Sequence, residues 1–227
     1  MELLLPRVVA PARILPSYVK LDMAFGVGAG PTLYDKSRYR NHGAITSTDP
    51  FWAAGLHGYC GDFAPLTYVE IPAAHTQLNF TSEDFSMVIR DKIDDLTIIR
   101  ALFYRGVVNV DGYYMFVYDD GRFAVRTNQS GATQISSTTA ASVLTNTWYT
   151  LGLSRAGASI RLYINGVDAT YTAGVHINPA TSTRSAKIGI DDAKTGFPLD
   201  GKIEFLRIFG GIALPASSHL AWHNALK

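Results

Sequence analysis

Cysteine is almost absent from this chain, because Cys60 is the single cysteine among 227 residues. One cysteine cannot form an intrachain disulfide, which is typical of a reducing compartment or of an exported protein that does without disulfides. Long apolar runs are also missing. A membrane-spanning helix needs about 18 or more consecutive apolar residues, so the sequence predicts no membrane span.

Charged residues are few and balanced. Lys and Arg together number 20 and Asp and Glu 19, which gives a net charge of +1. A nucleic-acid surface needs clustered Lys and Arg to neutralise phosphates, so this composition argues against a nucleic-acid partner. Hydrophobic residues make up 47% of the chain, which is enough to bury the core of one large all-β domain.

The clearest pattern that the chain does contain is a β-hairpin predicted over residues 147–169. Apolar and polar residues alternate along 149–154 and again along 160–164, the period-two pattern of a strand with one apolar face. Asn165 and Gly166 then supply two residues that tolerate the positive φ of a type I′ turn. One hairpin cannot bury its apolar face alone, so a second sheet is expected to cover it.

Further short segments with strand character follow at roughly ten-residue spacing, separated by Gly or Asx turns. The predicted strands are 18–25, 58–63, 67–71, 85–90, 96–104, 112–118, 122–126, 186–190 and 201–209, whereas 128–141 is predicted to be a loop or a weak edge strand. Residues 215–226 are the helical candidate. This pattern indicates one all-β sandwich or barrel over residues 18–227 with a short C-terminal helix.

Residues 1–17 are predicted to form an extended N-terminal arm. Prolines at positions 6, 11 and 16 favour extended backbone over helix. The segment is not expected to be an export signal, because it lacks a basic start and prolines interrupt its apolar run. It is too apolar for a free tail, so it should lie on its own domain or, as we favour, on a neighbouring protein subunit. Its partner-binding side chains would be Leu3, Leu4, Leu5, Val8, Val9, Ile14 and Leu15.

A series of short motifs resembles a known family. They are D-x-S-x-x-x-N-H-G at 35–43, G-D-F at 61–63 with Y-V-E-I at 68–71, S-E-D-F-S at 82–86, G-Y-Y-M-F-V at 112–117, W-Y-T-L at 148–151, L-Y-I-N-G-V at 162–167 and D-G-K-I-E-F-L-R-I-F at 200–209. In this order they resemble the concanavalin A-like, laminin G-like (LamG) jelly-roll domains. The resemblance implies a two-sheet antiparallel jelly-roll β-sandwich. The chain departs from the family at Arg90, where Trp is usual, and at Ala64-Pro65, where Asp-Gly is usual.

No catalytic residue is predicted. The glucanases that this fold resembles carry carboxylates on one strand face, as E-x-D-x-x-E or a close variant, and no such pattern occurs here. The acidic pairs at 83–84, 94–95, 119–120 and 191–192 are adjacent, so on a strand their side chains would point to opposite faces. Cys60 is expected to be a buried, inert thiol. His219 and His223 lack a third ligand for zinc.

The resemblance implies Ca²⁺ as the candidate ion and no other cofactor. Related domains often bind Ca²⁺ on the sandwich rim, near the D-x-S…N-H-G loop and the G-D-F turn. The ligands here would be Asp35, Asn41, Asp62 and Glu204, which carry the oxygen atoms that Ca²⁺ prefers. The alternative is that Asp35 and Asn41 only hold a loop through side-chain-to-backbone hydrogen bonds.

Sugar binding on a β-sandwich usually needs exposed aromatic rings beside polar groups. The candidate rings lie in or near predicted loops and are Trp52, Tyr39, Tyr59 and Tyr104, with Trp52 first among them. Trp148 is expected to be structural at a strand start. Trp222 is expected to anchor the terminal helix.

Two functional hypotheses remain. The first is a non-catalytic structural or recognition module that forms a surface subunit of a larger assembly, such as a viral or phage virion, on the virion or extracellular surface. The apolar arm and the absence of a catalytic pattern favour it. The second is a stand-alone carbohydrate-binding lectin with a Ca²⁺ requirement left open, which the loop aromatics favour. A glycan-degrading enzyme ranks third.

Overall fold

The structure is a computed structural model that describes residues 17–26 and 28–225. These residues form sixteen strands, one α-helix and one 3-10 turn at Thr76–Leu78. The strands are β1 Val19–Ala24, β2 Thr32–Leu33, β3 Gly43–Thr46, β4 Trp52–Ala54, β5 Tyr59–Phe63, β6 Tyr68–Ile71, β7 Phe85–Ile93, β8 Arg100–Val107, β9 Asp111–Val117, β10 Phe123–Gln129, β11 Ala132–Ser137, β12 Trp148–Ala156, β13 Ser159–Ile164, β14 Val167–Asp168, β15 Ala186–Ile188 and β16 Gly201–Gly210, and the helix is α1 Ala216–Asn224.

The strands form two antiparallel sheets. Sheet I has the order β14-β13-β12-β7-β16-β5-β4, and β1 also pairs with β16. Sheet II has the order β11-β10-β9-β8-β15-β6-β3-β2. Strand β16 is the longest strand and pairs with β7, β5 and β1. Its register with β7 shifts between Ile203 and Phe205, so a β-bulge places Glu204 at the irregularity.

The core lies between the two sheets. Leu151 and Leu153 of β12 and Met115 and Val117 of β9 belong to one buried apolar cluster, because side chains at every second position point inward. The intervening residues face outward, where Phe116 and Phe205 join two smaller clusters on opposite sides of the sandwich. The two-sheet jelly-roll sandwich that the sequence predicted is confirmed.

Helix α1 lies on the outer face of sheet I. The His219 ring stacks on Tyr163 with centroids 4.0 Å apart, and its Nε2 is 2.8 Å from Ser154 Oγ. Gly152 makes room for this contact, since a Cβ there would lie 2.3 Å from His219 Nδ1. The helix thereby carries Trp222 to the neighbourhood of β16.

Most predicted strands are found near their predicted positions. In the hairpin, β12 pairs with β13, and Asn165 and Gly166 have φ of 52° and 82° before β14. Residues 128–141 contain the edge strand β11. The largest boundary error is at β8, which begins at Arg100 rather than at residue 96, because Asp95 accepts hydrogen bonds from the Arg100 side chain and holds 95–99 as a loop. Strands β7 and β10 each extend three residues beyond their predicted ends.

The predicted N-terminal arm lies outside the described residues except for Ser17. Its seven aliphatic residues, and the domain boundary at residue 17, therefore stay predictions. Among the described residues, no helix is long and apolar enough to cross a membrane.

Candidate functional site

A cleft of about 320 Å³ lies between β16 and the C-terminal end of α1. Its volume falls within the range of small-ligand sites, at the low end. The cleft, as the name is used below, is lined by Ala24, Gly26, His57, Tyr59, Glu204, Phe205, Arg207, Trp222 and Ala225.

Glu204 is the structural centre of this cleft. Its Oε1 accepts hydrogen bonds from the backbone N–H groups of Leu56 and His57. Its Oε2 lies 2.9 Å from His57 Nδ1 and 3.2 Å from Arg90 Nε. Gly55 allows the close approach, because a Cβ there would be 2.6 Å from Oε1. The buried carboxylate therefore holds the loop 55–58 against β16.

Arg90 has a role that the sequence did not reveal. It stands where the family usually has Trp. Arg90 is buried, pairs with Glu204 and donates from its terminal Nη1 to Thr150 Oγ1 at 3.1 Å. A buried carboxylate is stable when it is paired with a cation, so Arg90 stabilises the charge that holds the loop.

Arg207 is held in one orientation at the other side of the cleft. Its Nε donates to Asp22 Oδ1 at 2.6 Å, and its guanidinium carbon lies 4.2 Å from the centre of the Trp222 ring. A guanidinium over a Trp ring is attracted by the negative ring face. The alternation of β16 already places Phe205 and Arg207 on one face, but the sequence analysis did not use that signal.

Two partly exposed aromatic rings, Tyr59 and Trp222, line the cleft beside the buried ring of Phe205. Tyr59 is 53% exposed, and its ring lies so close to the Gly28 backbone that a Cβ there would be 2.5 Å from it. Trp222 is half-buried and packs beside the cluster of Phe205. Trp222 thus anchors the helix, as expected, and also lines the cleft, which sequence reasoning missed.

The residues predicted to bind Ca²⁺ are not brought together. Asp35 Oδ1 accepts from the backbone N–H groups of Asp22 and Ser37, both at 2.8 Å. Its Oδ2 accepts from Asn41 N at 2.7 Å and from Ser37 Oγ at 2.6 Å, while Asn41 Nδ2 donates to Lys20 O. Asp35 and Asn41 hold their loop together, as the alternative interpretation predicted.

The other two predicted ligands are paired elsewhere. Asp62 lies on β5 and forms an ion pair with Lys202 at 2.6 Å, and both oxygens of Glu204 are occupied as described above. In the part of the chain that the structure describes, no group of three or more His, Cys, Asp or Glu residues could hold a metal ion. The four residues, as placed, do not fit one Ca²⁺ site.

The four rings predicted to bind sugar also lie in different parts of the structure. Tyr59 lines the cleft, whereas Trp52 donates from Nε1 to Gly30 O at 3.1 Å on the edge strand β4. Tyr39 lies in another groove, of about 530 Å³, where its hydroxyl accepts from Lys20 Nζ. Tyr104, predicted at the end of a strand and near a loop, lies inside a longer strand and does not present an exposed ring. It belongs to β8, is 4% exposed and stacks on Tyr114 with centroids 4.2 Å apart.

Two side chains outside the cleft that could act as nucleophiles, Cys60 and Ser154, are buried. Burial raises the pKa of the Cys60 thiol to about 11, which keeps it protonated and unreactive at neutral pH. Ser154 Oγ and His219 Nε2 have the spacing of a nucleophile and its base, but both side chains are buried at the contact between β12 and α1. Trp148 begins β12, as expected for a structural residue.

Comparison with known proteins agrees with this architecture. Residues 66–217, two thirds of the chain, match the model of a laminin G family described as the concanavalin A-like lectin/glucanases superfamily. No curated protein matches the chain in sequence.

Several solved structures share the fold. Domain 4 of AbnA, a GH43 extracellular arabinanase from Geobacillus stearothermophilus solved in complex with arabinotriose, is 20% identical over 89% of this chain and 97% of that chain, with a TM-score of 0.63. The botulinum neurotoxin serotype D binding domain is 12% identical over 92% of this chain and 52% of that one, with a TM-score of 0.67. Trypanosoma rangeli sialidase in complex with the inhibitor DANA is 12% identical over 89% and 32%, with a TM-score of 0.63.

This chain spans nearly the whole arabinanase domain, about half of the neurotoxin domain and about a third of the sialidase. At these identities the likeness concerns the fold alone. The family match covers most of both sheets and reaches the first residues of α1. The chain therefore belongs to the laminin G-like domains of the concanavalin A-like lectin/glucanases superfamily.

Proposed function

We propose that this chain is a non-catalytic recognition module that binds an oligosaccharide in the cleft. The observation that carries the proposal is the meeting of two aromatic rings, Tyr59 and Trp222, with the oriented polar side chains Arg207 and His57 around one cavity. Sugar rings pack their apolar faces on aromatic side chains, and a few convergent polar groups fix their orientation. The shared fold with an arabinanase domain solved with arabinotriose supports this assignment.

The cleft is better suited to binding than to hydrolysis. Glycoside hydrolysis uses two carboxylates that flank the scissile bond. Among the described residues that line the cleft, Glu204 is the one carboxylate, and both of its oxygens are already bonded within the protein. Release of reducing sugar from a glycan that the protein binds would overturn the non-catalytic assignment.

The test is a glycan array with the full-length protein, in Ca²⁺ and again in EDTA. We expect selective binding that Tyr59→Ala weakens at least ten-fold, about 1.4 kcal/mol, because the substitution removes a ring from the cleft. Tyr171→Ala is the matched control, since Tyr171 is 74% exposed and lies outside the cleft lining. A blank array, or an equal effect of both substitutions, would contradict the proposal.

We also propose that the module is a surface subunit of a larger assembly, such as a viral or phage virion, and that residues 1–16 attach it to its neighbours. Seven large aliphatic side chains within the first fifteen residues support this. Deleting residues 1–16 should leave the thermal unfolding curve unchanged and abolish assembly, as measured by light scattering. Loss of folding would instead place the arm in the domain's own core, and a monomeric full-length protein would contradict assembly.

A further inference from the structure

The charged groups of the cleft differ in how much of their hydrogen-bonding capacity is used. Both oxygens of Glu204 are occupied, by the backbone of 56–57, by the His57 ring and by Arg90. His57 uses Nδ1 in that contact. Arg207 uses Nε alone, on Asp22, and its two terminal nitrogens form no hydrogen bond with any residue that the structure describes. Arg207 is thus the charged side chain of the cleft with the most unused capacity.

The orientation of Arg207 is fixed before any ligand binds. Asp22 holds Nε, and Trp222 lies against the guanidinium. The side chain is 25% exposed, so its terminal nitrogens remain accessible to solvent in the cleft. A guanidinium has only donors, arranged as a planar fork that matches the two oxygens of a carboxylate, and prior orientation reduces the entropy lost on binding.

We propose that Arg207 binds the carboxylate of an acidic sugar, so that the cleft selects carboxylated over neutral oligosaccharides. This inference rests on the proposed function and adds the ligand class. Glu204 and Asp22 already neutralise Arg90 and Arg207 as ion pairs, so these four groups leave no surplus positive charge in the cleft. Recognition therefore depends on the two directed donors of Arg207, which one carboxylate can accept as a bidentate pair, and each further negative charge on the ligand would be repelled by Asp22 and Glu204.

The test is an array in which each acidic oligosaccharide is paired with the same oligosaccharide after reduction of its carboxyl group to an alcohol, beside sulfated and neutral glycans. We expect the wild-type protein to bind the acidic member of at least one pair ten-fold or more tightly than its reduced partner. Arg207→Lys, which keeps the charge and loses the fork, should weaken binding of that member at least ten-fold.

Arg122→Lys is a matched control. Arg122 also donates from Nε to an aspartate, Asp120, at 2.7 Å and lies 4.5 Å from the centre of a ring, Tyr118, but it stands at the β9–β10 turn. It should bind like the wild type. Thermal unfolding of both variants confirms folding, and the paired glycans test the wild-type protein without any variant.

Three results would overturn the inference. They are equal binding of the acidic and reduced members, a stronger preference for sulfated glycans, or equal effects of the two lysine variants on a folded protein. If neutral glycans bind while any of these holds, the proposed function stands and the role of Arg207 fails. If no glycan binds at all, the proposed function fails with it.

Discussion

At the scale of single residues, Asp91 is unusual because its carboxyl group is buried against the apolar core. It lies on the same face of β7 as Ile89 and Ile93, which belong to the core between the sheets, and it is fully buried. Neither of its oxygens has a hydrogen-bond partner among the described residues. Burial raises the pKa of Asp91 well above its usual range, so the folded protein holds this group in its neutral form.

We predict that Asp91→Asn stabilises the protein more at high pH than at low pH. The raised pKa means that the folded state keeps a proton that the unfolded state releases above about pH 4, so wild-type stability falls as pH rises from there. The amide removes this dependence, and we expect a gain of about 1–3 kcal/mol at pH 8 and little gain at pH 4. Urea unfolding at both pH values measures the difference. A pH-independent difference would show that Asp91 is not buried as a neutral acid.

Two buried histidines have the opposite dependence. Burial lowers the pKa of His219 and of His176 to about 4. Each ring is therefore neutral in the folded protein where the unfolded chain binds a proton, so stability falls as pH decreases from about 6.5 to about 4. Each histidine should contribute a loss on the order of 3 kcal/mol over this range.

His219→Phe tests this dependence for one of the two rings. Phenylalanine keeps a ring against Tyr163 and loses the hydrogen bond to Ser154 and the titration. The variant should be less stable than wild type by about 1 kcal/mol at pH 7, and the gap should close or reverse at pH 4.5. A gap that stays constant would exclude His219 as a source of acid instability.

At the scale of elements, the contact between α1 and β12 positions one wall of the cleft. Gly152 lies directly beneath the His219 ring, and Trp222 lies one turn further along the same helix. The packing of these two elements therefore sets the position of Trp222, which lines the cleft.

Gly152→Ala should displace α1. Its Cβ would meet His219 Nδ1 at 2.3 Å, a distance that real Cβ atoms do not show, so we expect a loss of about 1–3 kcal/mol in unfolding free energy. Oligosaccharide affinity should fall as well, because Trp222 moves with the helix. Combining Gly152→Ala with His219→Ala is the control. If the clash is the cause, Gly152→Ala should lower the unfolding free energy by less in the His219→Ala background than in the wild-type protein.

Most of the longer strands could be predicted from local pattern, whereas the short strands β2, β3 and β4 and the cleft could not. Alternation and the Asn165-Gly166 turn are enough to place β12, β13 and β14, because strand period and turn chemistry are local properties. Tyr59, Glu204 and Trp222 come from three distant parts of the chain, and their meeting depends on the pairing of β16 with β5 and on the docking of α1. The bulge at Glu204 depends on the register with β7, which no local pattern records.

At the scale of the whole molecule, stability comes from one apolar core closed between two sheets, and the three carboxylates considered as calcium ligands, Asp35, Asp62 and Glu204, are already bonded to protein groups. We therefore expect EDTA to leave the melting temperature unchanged. Asp35 already accepts four hydrogen bonds, and Asp62 and Glu204 pair with cations. Differential scanning calorimetry with EDTA, and then with excess Ca²⁺, measures this. A melting temperature that falls with EDTA and recovers with Ca²⁺ would establish a calcium site.

The hydrogen bond from Leu56 to Glu204 joins residues 148 positions apart in sequence. During synthesis, the loop 55–58 leaves the ribosome long before its carboxylate partner exists. Strand β16 must also insert between β5 and β7, which are already made. Contacts between such distant residues slow folding. A nascent chain that stops before residue 201 can pair β12 with β13, but it has no cleft. Glycan binding would thus report that the whole chain has been made and folded.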